Sequence, residues 1–170
     1  MKLLRRLFTP AANPRDAMRP LWSAIVAEAR APAWYRDRGV ADTLEGRFDM
    51  VTVVLALVLL RMERDPALAA RTAPLTEIFV EDMDGQLRQT GVGDLMVGKQ
   101  VGQLMASLGG RVGALRAALA VGGGELEQVV HRNITLTDPT RAARTADRLR
   151  ALAERLAATS DEALLAGEMA

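Results

Sequence analysis

The sequence predicts an all-α protein, a single bundle of about six to eight helices around a central apolar helix. Hydrophobic residues make up 49% of the 170 residues and aromatic residues only 4%, so Leu, Val, Ala and Met must build the core. This alanine-rich and leucine-rich composition favours helices. The run from Met50 to Leu60 carries no charge and is therefore expected to be buried. Only residues 133–137 suggest a strand, and weakly.

The chain length fits one domain. We expect residues 1–14 to form a basic N-terminal tail and residues 15–170 to form the helical domain. The tail has an apolar side, made of Leu3, Leu4, Leu7 and Phe8. It is interpreted either as a frayed basic tail or as a weak contact with a membrane surface.

A first helix is predicted over residues 21–30, and Pro32 suits the first turn of a short second helix that carries Trp34 and Tyr35. Gly39 is predicted to adopt a left-handed conformation that ends this helix. Asp42 and Glu45 then have the spacing of a capping box. They predict the start of a long helix that runs from residue 43 to about residue 64.

Arg47 and Asp82 are both predicted to lie on apolar helical faces. Arg47 shares its face with Leu44 and Val51 at the helical period of about 100° per residue. Asp82 falls on the apolar face of a helix over residues 75–89. This helix follows a short one bracketed by Pro66 and Pro74. Because a buried charge is costly unless it is paired, we expect the two side chains to form a buried or half-buried ion pair.

Gly91 and Gly93 indicate a tight turn, and Asp94 is placed to cap the following helix. Gly98 and Gly102 lie four residues apart on that helix. Each costs about 1 kcal/mol relative to alanine. We therefore expect another element to pack closely against both glycines.

Glycines at 109–110 are expected to break or kink this helix, and those at 122–124 to end it. Asp138 and Pro139 then predict a cap and first turn for a last long helix over residues 140–157. One face of this helix is a basic surface, formed by Arg141, Arg144, Arg148 and Arg155. This face is interpreted either as solvated or as a contact for RNA, anionic lipid or an acidic partner.

Composition excludes several classes of site. The absence of cysteine excludes disulfides, thiolate metal sites and a cysteine nucleophile, and a single histidine cannot form a histidine-rich metal site. Glu81, Asp82 and Asp84 are interpreted as one ion pair and a solvated face, not a metal site. We expect no enzyme activity, no cofactor and no small-molecule substrate. No uncharged run reaches the ~20 residues of a transmembrane helix, so none is expected.

Two segments resemble the ubiquinol–cytochrome c chaperone family. They are ARAPAWYRDRGVADTLEGRFDMVTVVLALVLLRM, residues 29–62, and EIFVEDMDGQLRQTGVGDLMVGKQVGQLMASLGGRVGAL, residues 77–115. The motif positions are Trp34, Tyr35, Asp42, Thr43, Gly46, Arg47, Phe48, Asp82, Asp84, Arg88, Gly91, Gly93, Asp94 and Lys99. The chain departs from the family at Gly109, where an aromatic usually precedes Gly-Arg, and at Leu115, where a tyrosine is usual.

The resemblance implies an all-α, non-enzymatic chaperone for assembly of the respiratory ubiquinol–cytochrome c reductase. It also implies binding of newly made, unassembled cytochrome b, together with a small partner protein, near the ribosome. The membrane-targeting extension of the mitochondrial relatives is absent, and the resemblance therefore implies a cytoplasmic protein that is at most peripheral at the inner membrane. The alternative is a peripheral membrane or ribosome-associated adaptor that acts through its basic surfaces.

A chaperone for a hydrophobic client needs an exposed apolar groove. We expect the turn with Trp34 and Tyr35, together with the start of the long helix, to form its rim, because aromatic side chains are good anchors. The alternative is that both rings close the bottom of the bundle.

Overall fold

A computed structural model describes residues 13–89 and 97–169, without the side chains of residues 86–89 and 97–100. The fold is all-α, as predicted. Its helices are α1 Arg19–Ala29, α2 Pro32–Arg36, α3 Leu44–Met62, α4 Pro66–Ala69, α5 Thr72–Gln89, α6 Val97–Val121, α7 Glu125–Asn133, α8 Ala142–Ala158 and α9 Asp161–Leu165. Residues 133–137 do not form a strand. Leu136 instead forms an isolated antiparallel bridge with Val40.

Helix α3 is the central helix of the bundle. Every residue from 50 to 59 is buried, and α3 packs against α1, α6 and α8. The uncharged run therefore has the buried position that its composition predicts. Each fully buried Val or Leu side chain contributes ~1.5–3 kcal/mol relative to an exposed one, so this helix is a major source of stability.

The turn before α3 is specified by two local features. Gly39 has a φ of 89°, which confirms its predicted left-handed conformation. The N-cap is Thr43, whose Oγ1 accepts a hydrogen bond from the backbone N–H of Gly46 at 3.2 Å. The capping box predicted from Asp42 therefore begins one residue too early, because the extended Thr43 is the residue whose side chain reaches the first turn.

Prolines begin two of the short helices as predicted. Pro32 lies in the first turn of α2, and Pro66 follows Asp65, whose side chain caps α4. Pro74 was expected to lie between helices, but α5 already begins at Thr72. A proline is tolerated there because the first turn of a helix has no intrahelical partner for its N–H groups.

Helix α6 is continuous across residues 109–110, so the predicted break or kink is wrong. Leu108, Leu115 and Ala118 are buried on its inner side, and packing on α3 and α7 compensates for the low helix propensity of the glycines. The predicted end at residues 122–124 is confirmed. Gly122 and Gly123 have φ values of 77° and 59°.

The close contact predicted at Gly102 is also wrong. A Cβ atom built at Gly102 would meet no atom within 4 Å, so this glycine lies on an open face of α6. Gly98 falls outside the part of the chain whose surroundings are described.

Candidate functional site

An apolar groove of about 550 Å³ lies between α1, α3, α5 and α6. Its apolar lining is Val26, Leu44, Phe48, Val51, Met83 and Leu104, and its polar lining is Arg30, Glu45, Arg47, Asp49, Asp82 and Thr135. Leu44 is 67% exposed, so apolar surface at the mouth of the groove is open to solvent. The groove can therefore receive an apolar segment between charged side chains.

One wall of the groove contains a buried ion pair between α3 and α6. Arg111 Nη2 lies 2.5 Å from Asp49 Oδ1, and the two side chains are 11% and 12% exposed. Asp49 Oδ2 accepts hydrogen bonds from the backbone N–H and the hydroxyl of Thr135, at 2.9 and 2.8 Å. Both carboxylate oxygens are thus satisfied, as a buried charge requires.

Arg111 makes further contacts that fix its position. It donates to the carbonyl oxygen of Asn133 at 3.1 Å and to the hydroxyl of Ser107. Its guanidinium carbon lies 5.9 Å from the ring centroid of Phe48, a groove residue. The ion pair therefore ties α6 and the end of α7 to the part of α3 that forms the groove.

The predicted ion pair between Arg47 and Asp82 is not formed as a buried or half-buried pair. The Arg47 side chain is 58% exposed, and its Nε donates to Asp42 Oδ1 at 2.6 Å. Asp82 is also exposed. Both residues line the groove and are exposed, so within the described part of the chain no helix covers them.

The Arg47 hydrogen bond has an electrostatic consequence at the groove rim. It lowers the pKa of Asp42 below its usual range, and the same contact raises the pKa of Arg47. Both shifts favour the charged forms of the two side chains.

Comparisons with known proteins agree with this fold. Residues 36–170 match the family described as ubiquinol–cytochrome C chaperone. The chain belongs to this family. Its fold is similar to the crystal structure of the Cbp3 homolog from Brucella abortus, with 33% sequence identity and a TM-score of 0.81. The similarity covers 98% of this chain and 94% of that one. No curated protein matches the chain.

The aromatic pair lies just before the residues that match the ubiquinol–cytochrome c chaperone family. Trp34 is completely buried, and its Nε1 donates to the carbonyl oxygen of Glu28 at 2.9 Å. The guanidinium carbon of Arg148 lies 4.5 Å from the centroid of the Trp34 ring. The prediction that Trp34 forms a groove rim is therefore wrong, because this ring joins α2 to α1 and α8.

Tyr35 is half-buried, and its hydroxyl donates to the carbonyl oxygen of Ala29 at 2.8 Å. Burial raises the pKa of this hydroxyl. Tyr35 lines a small cavity with Asp42 and Arg47, and this cavity shares Arg47 with the groove, but Tyr35 itself does not line the groove. Of the predicted rim, only the start of α3 lines the groove.

Gly46 of the family motif has a structural role. A Cβ atom at this position would lie 2.0 Å from the carbonyl oxygen of Ala41, so only glycine allows α3 to begin so close to the preceding turn. Thr43 caps the same helix, and Phe48 lines the groove. These motif residues therefore build the groove and the turn beside it.

The second family segment is only partly described. Asp82 lies at the groove, whereas the half-buried Asp84 lines a different cleft between α5 and α6. The remaining predicted positions of this segment lie outside the described residues or side chains. They are Arg88, Gly91, Gly93, Asp94 and Lys99.

The basic surface of α8 is largely engaged within the bundle. Arg148 and Arg155 lie 3.3 and 3.7 Å from the carboxylate oxygens of Glu28 in α1. Arg141 lies 3.2 Å from Asp138, while Arg144 is exposed. The basic surface therefore holds α1 and α2 against α8 and is not a uniformly solvated face.

Helix α6 changes one expectation about membranes. In the described part of the chain, the 21 residues Val101–Val121 are long and apolar enough to cross a bilayer, and 17% of their most apolar stretch is buried. One such helix is weak support for a membrane span. Its residue Arg111 is paired with Asp49, so in this structure α6 is a helix of the bundle.

Among the described residues, no group of three or more His, Asp or Glu side chains is placed to hold a metal ion. The residues of the groove wall and its ion pair that the sequence did not predict are Asp49, Arg111 and Thr135. Arg111 could have been found from its spacing, because Leu108, Arg111 and Leu115 fall on one helical face.

Proposed function

We propose that this protein is a non-enzymatic chaperone for assembly of ubiquinol–cytochrome c reductase and that its client is newly made cytochrome b. Membership of the ubiquinol–cytochrome c chaperone family supports the assembly role. The similarity to the Cbp3 homolog extends over almost the whole chain, which supports a shared fold for that role.

The apolar groove is the proposed binding surface for an apolar segment of cytochrome b. The observation that carries this assignment is the exposure of Leu44 at the mouth of a groove whose walls include Phe48, Met83 and Leu104. Apolar surface that is open to solvent and rimmed by polar residues is typical of sites that bind other proteins.

Charged side chains around the groove fit the same function. Glu45, Arg47 and Asp82 line the groove beside its apolar residues. Charges of both signs keep an open apolar surface hydrated when no client is bound, and they can pair with polar groups that flank an apolar client segment. The binding would therefore be reversible, as transfer of the client to a growing complex requires.

A cytoplasmic location, peripheral at the inner membrane, goes with this proposal because a nascent membrane protein is available there before insertion. The proposal also includes the ribosome and a small partner protein as binding partners. An engaged basic surface on α8 makes the adaptor alternative weaker, since Arg148 and Arg155 already pair with Glu28.

The function can be tested by removing the gene and by capturing the tagged protein from cells. We expect deletion to reduce assembled ubiquinol–cytochrome c reductase and capture to recover cytochrome b. The capture is repeated in cells that lack cytochrome b, which controls for indirect recovery of other subunits. Normal assembly after deletion, or capture without cytochrome b, would contradict the proposal.

A further inference from the structure

A second cleft, of about 620 Å³, lies between α5 and α6 and shares no lining residue with the groove. We call it the α5–α6 cleft. Its apolar surface includes Val80, Val101 and the exposed Met105, and Glu77 and Glu81 lie at its edge. A smaller cavity of about 230 Å³ adjoins it, since both are lined by Thr72, Thr76 and Met105. The α5–α6 cleft is thus apolar inside and acidic at its edge.

The N-terminal part of the chain already reaches this edge. Arg15 Nε lies 2.7 Å from Glu77 Oε2, and Arg15 Nη1 lies 3.9 Å from Glu81 Oε2. The side chains of Glu77 and Glu81 remain 53% and 62% exposed, so both can accept further basic partners. The described chain, which starts at residue 13, therefore begins beside the α5–α6 cleft.

Residues 1–12 have the chemistry that this cleft would select. They contain Lys2, Arg5 and Arg6 and no acidic residue. Besides Met1, they contain four large apolar residues at a spacing that would place these four on one side of a helix, with the basic residues on the other sides. These apolar residues are Leu3, Leu4, Leu7 and Phe8.

We propose that residues 1–12 dock in the α5–α6 cleft of their own chain. The apolar side of the segment covers Val80 and Met105, and its basic residues pair with Glu77 and Glu81. A helix of seven residues would span about 10 Å. The short tether at Arg15 holds the segment near the cleft at an effective concentration of about millimolar.

An anionic membrane surface would attract the same basic amphipathic segment. The cleft is favoured because its acidic edge already holds Arg15, the basic residue at the start of the described chain. Docking of the segment needs no client protein, so it can be measured on the isolated full chain.

The chain lacks cysteine, so an introduced pair is the sole target of a short bis-maleimide crosslinker. Leu4→Cys is combined with Ala73→Cys at the cleft, or with Ala151→Cys on α8 as the matched control. Both alanines are exposed. We expect extensive intramolecular crosslinking of the cleft pair and only background crosslinking of the control pair. Equal yields for the two pairs would overturn the proposal.

Charge reversal then tests the basic contacts. Arg5→Glu with Arg6→Glu should reduce crosslinking of the cleft pair severalfold. The charges at the cleft are then reversed as well, with Arg15→Glu, Glu77→Arg and Glu81→Arg. Arg15 stays matched to its partners in this variant, and the crosslinking yield of the cleft pair should be restored. An unrestored yield would show that these charges do not meet.

Vesicles of phosphatidylcholine and phosphatidylglycerol provide the last arm of the test. The proposal is wrong if two results occur together: sedimentation with the vesicles requires residues 1–12, and the cleft pair crosslinks only at background yield without vesicles. The segment would then be a membrane contact. Crosslinking at the cleft in the absence of vesicles supports the proposal.

Discussion

Asp49 and Arg111, which are 62 positions apart in the sequence, form a buried ion pair that joins α3 to α6. Asp49 also lines the groove and accepts two hydrogen bonds from Thr135. The stability of the bundle and the shape of the groove therefore depend on the same carboxylate.

Removing either member of this pair should destabilise the protein strongly. Arg111→Ala leaves the Asp49 carboxylate buried without its cation, and loss of one partner of a buried pair costs ~3–5 kcal/mol. We expect a loss of this size in the free energy of unfolding measured with urea. Arg47→Ala, which removes an exposed arginine, is the control and should change stability little. Equal effects of the two substitutions would contradict the assignment.

Two helical glycines with opposite surroundings should respond in opposite directions to alanine. Gly46→Ala places a Cβ atom against the carbonyl oxygen of Ala41 and should lower the melting temperature. Gly102→Ala meets no atom and should raise stability by about 1 kcal/mol through helix propensity. Thermal unfolding of the two variants checks both signs. A lower melting temperature for Gly102→Ala would show that this position needs a glycine after all.

The two arginines Arg148 and Arg144 should differ in their contribution to stability. Arg148→Met removes the contact with the buried Trp34 ring and the ion pair with Glu28, and we expect a loss of ~1–2 kcal/mol. Arg144→Met changes an exposed residue and should stay within about 0.5 kcal/mol of the parent protein. Urea unfolding measures both, and similar losses would argue against a specific role of Arg148.

Acid should weaken the cap at Asp138. Hydrogen bonds from the side chain and backbone of Thr140 lower the pKa of Asp138 in the folded protein. The contribution is full above the ordinary Asp pKa of about 3.9 and is lost as pH falls through the lower folded-state pKa. Asp138→Asn keeps an acceptor but does not titrate. Its stability relative to the parent should therefore rise between pH ~6 and pH ~3, as urea midpoints can show. A constant difference would contradict this account of the cap.

Local signals predicted much of the fold. Backbone preference predicts the conformation of Gly39 and the helix starts at Pro32 and Pro66. Composition predicts the burial of residues 50–59. The continuity of α6 across residues 109–110 could not be predicted in this way. It depends on packing against α3 and α7, which outweighs the low propensity of the glycines.

The groove was the harder feature to predict. Helical periodicity placed Arg47 and Asp82 on apolar faces, but it cannot show whether another helix covers a face. At these two positions the faces stay open. The same periodicity applied to Arg111 would have identified the buried cation. Its partner Asp49 could be assigned only from three-dimensional contacts.

The most direct test of the central claim compares Leu44→Glu with Val121→Glu. Leu44 is 67% exposed at the groove, and Val121 is 74% exposed at the end of α6, outside the groove lining, so both variants should fold. The measurement is the amount of cytochrome b captured with each variant, together with the amount of assembled ubiquinol–cytochrome c reductase. The account predicts that Leu44→Glu lowers both amounts and that Val121→Glu leaves both unchanged. Normal capture and assembly with a folded Leu44→Glu variant would contradict the groove as the client-binding surface.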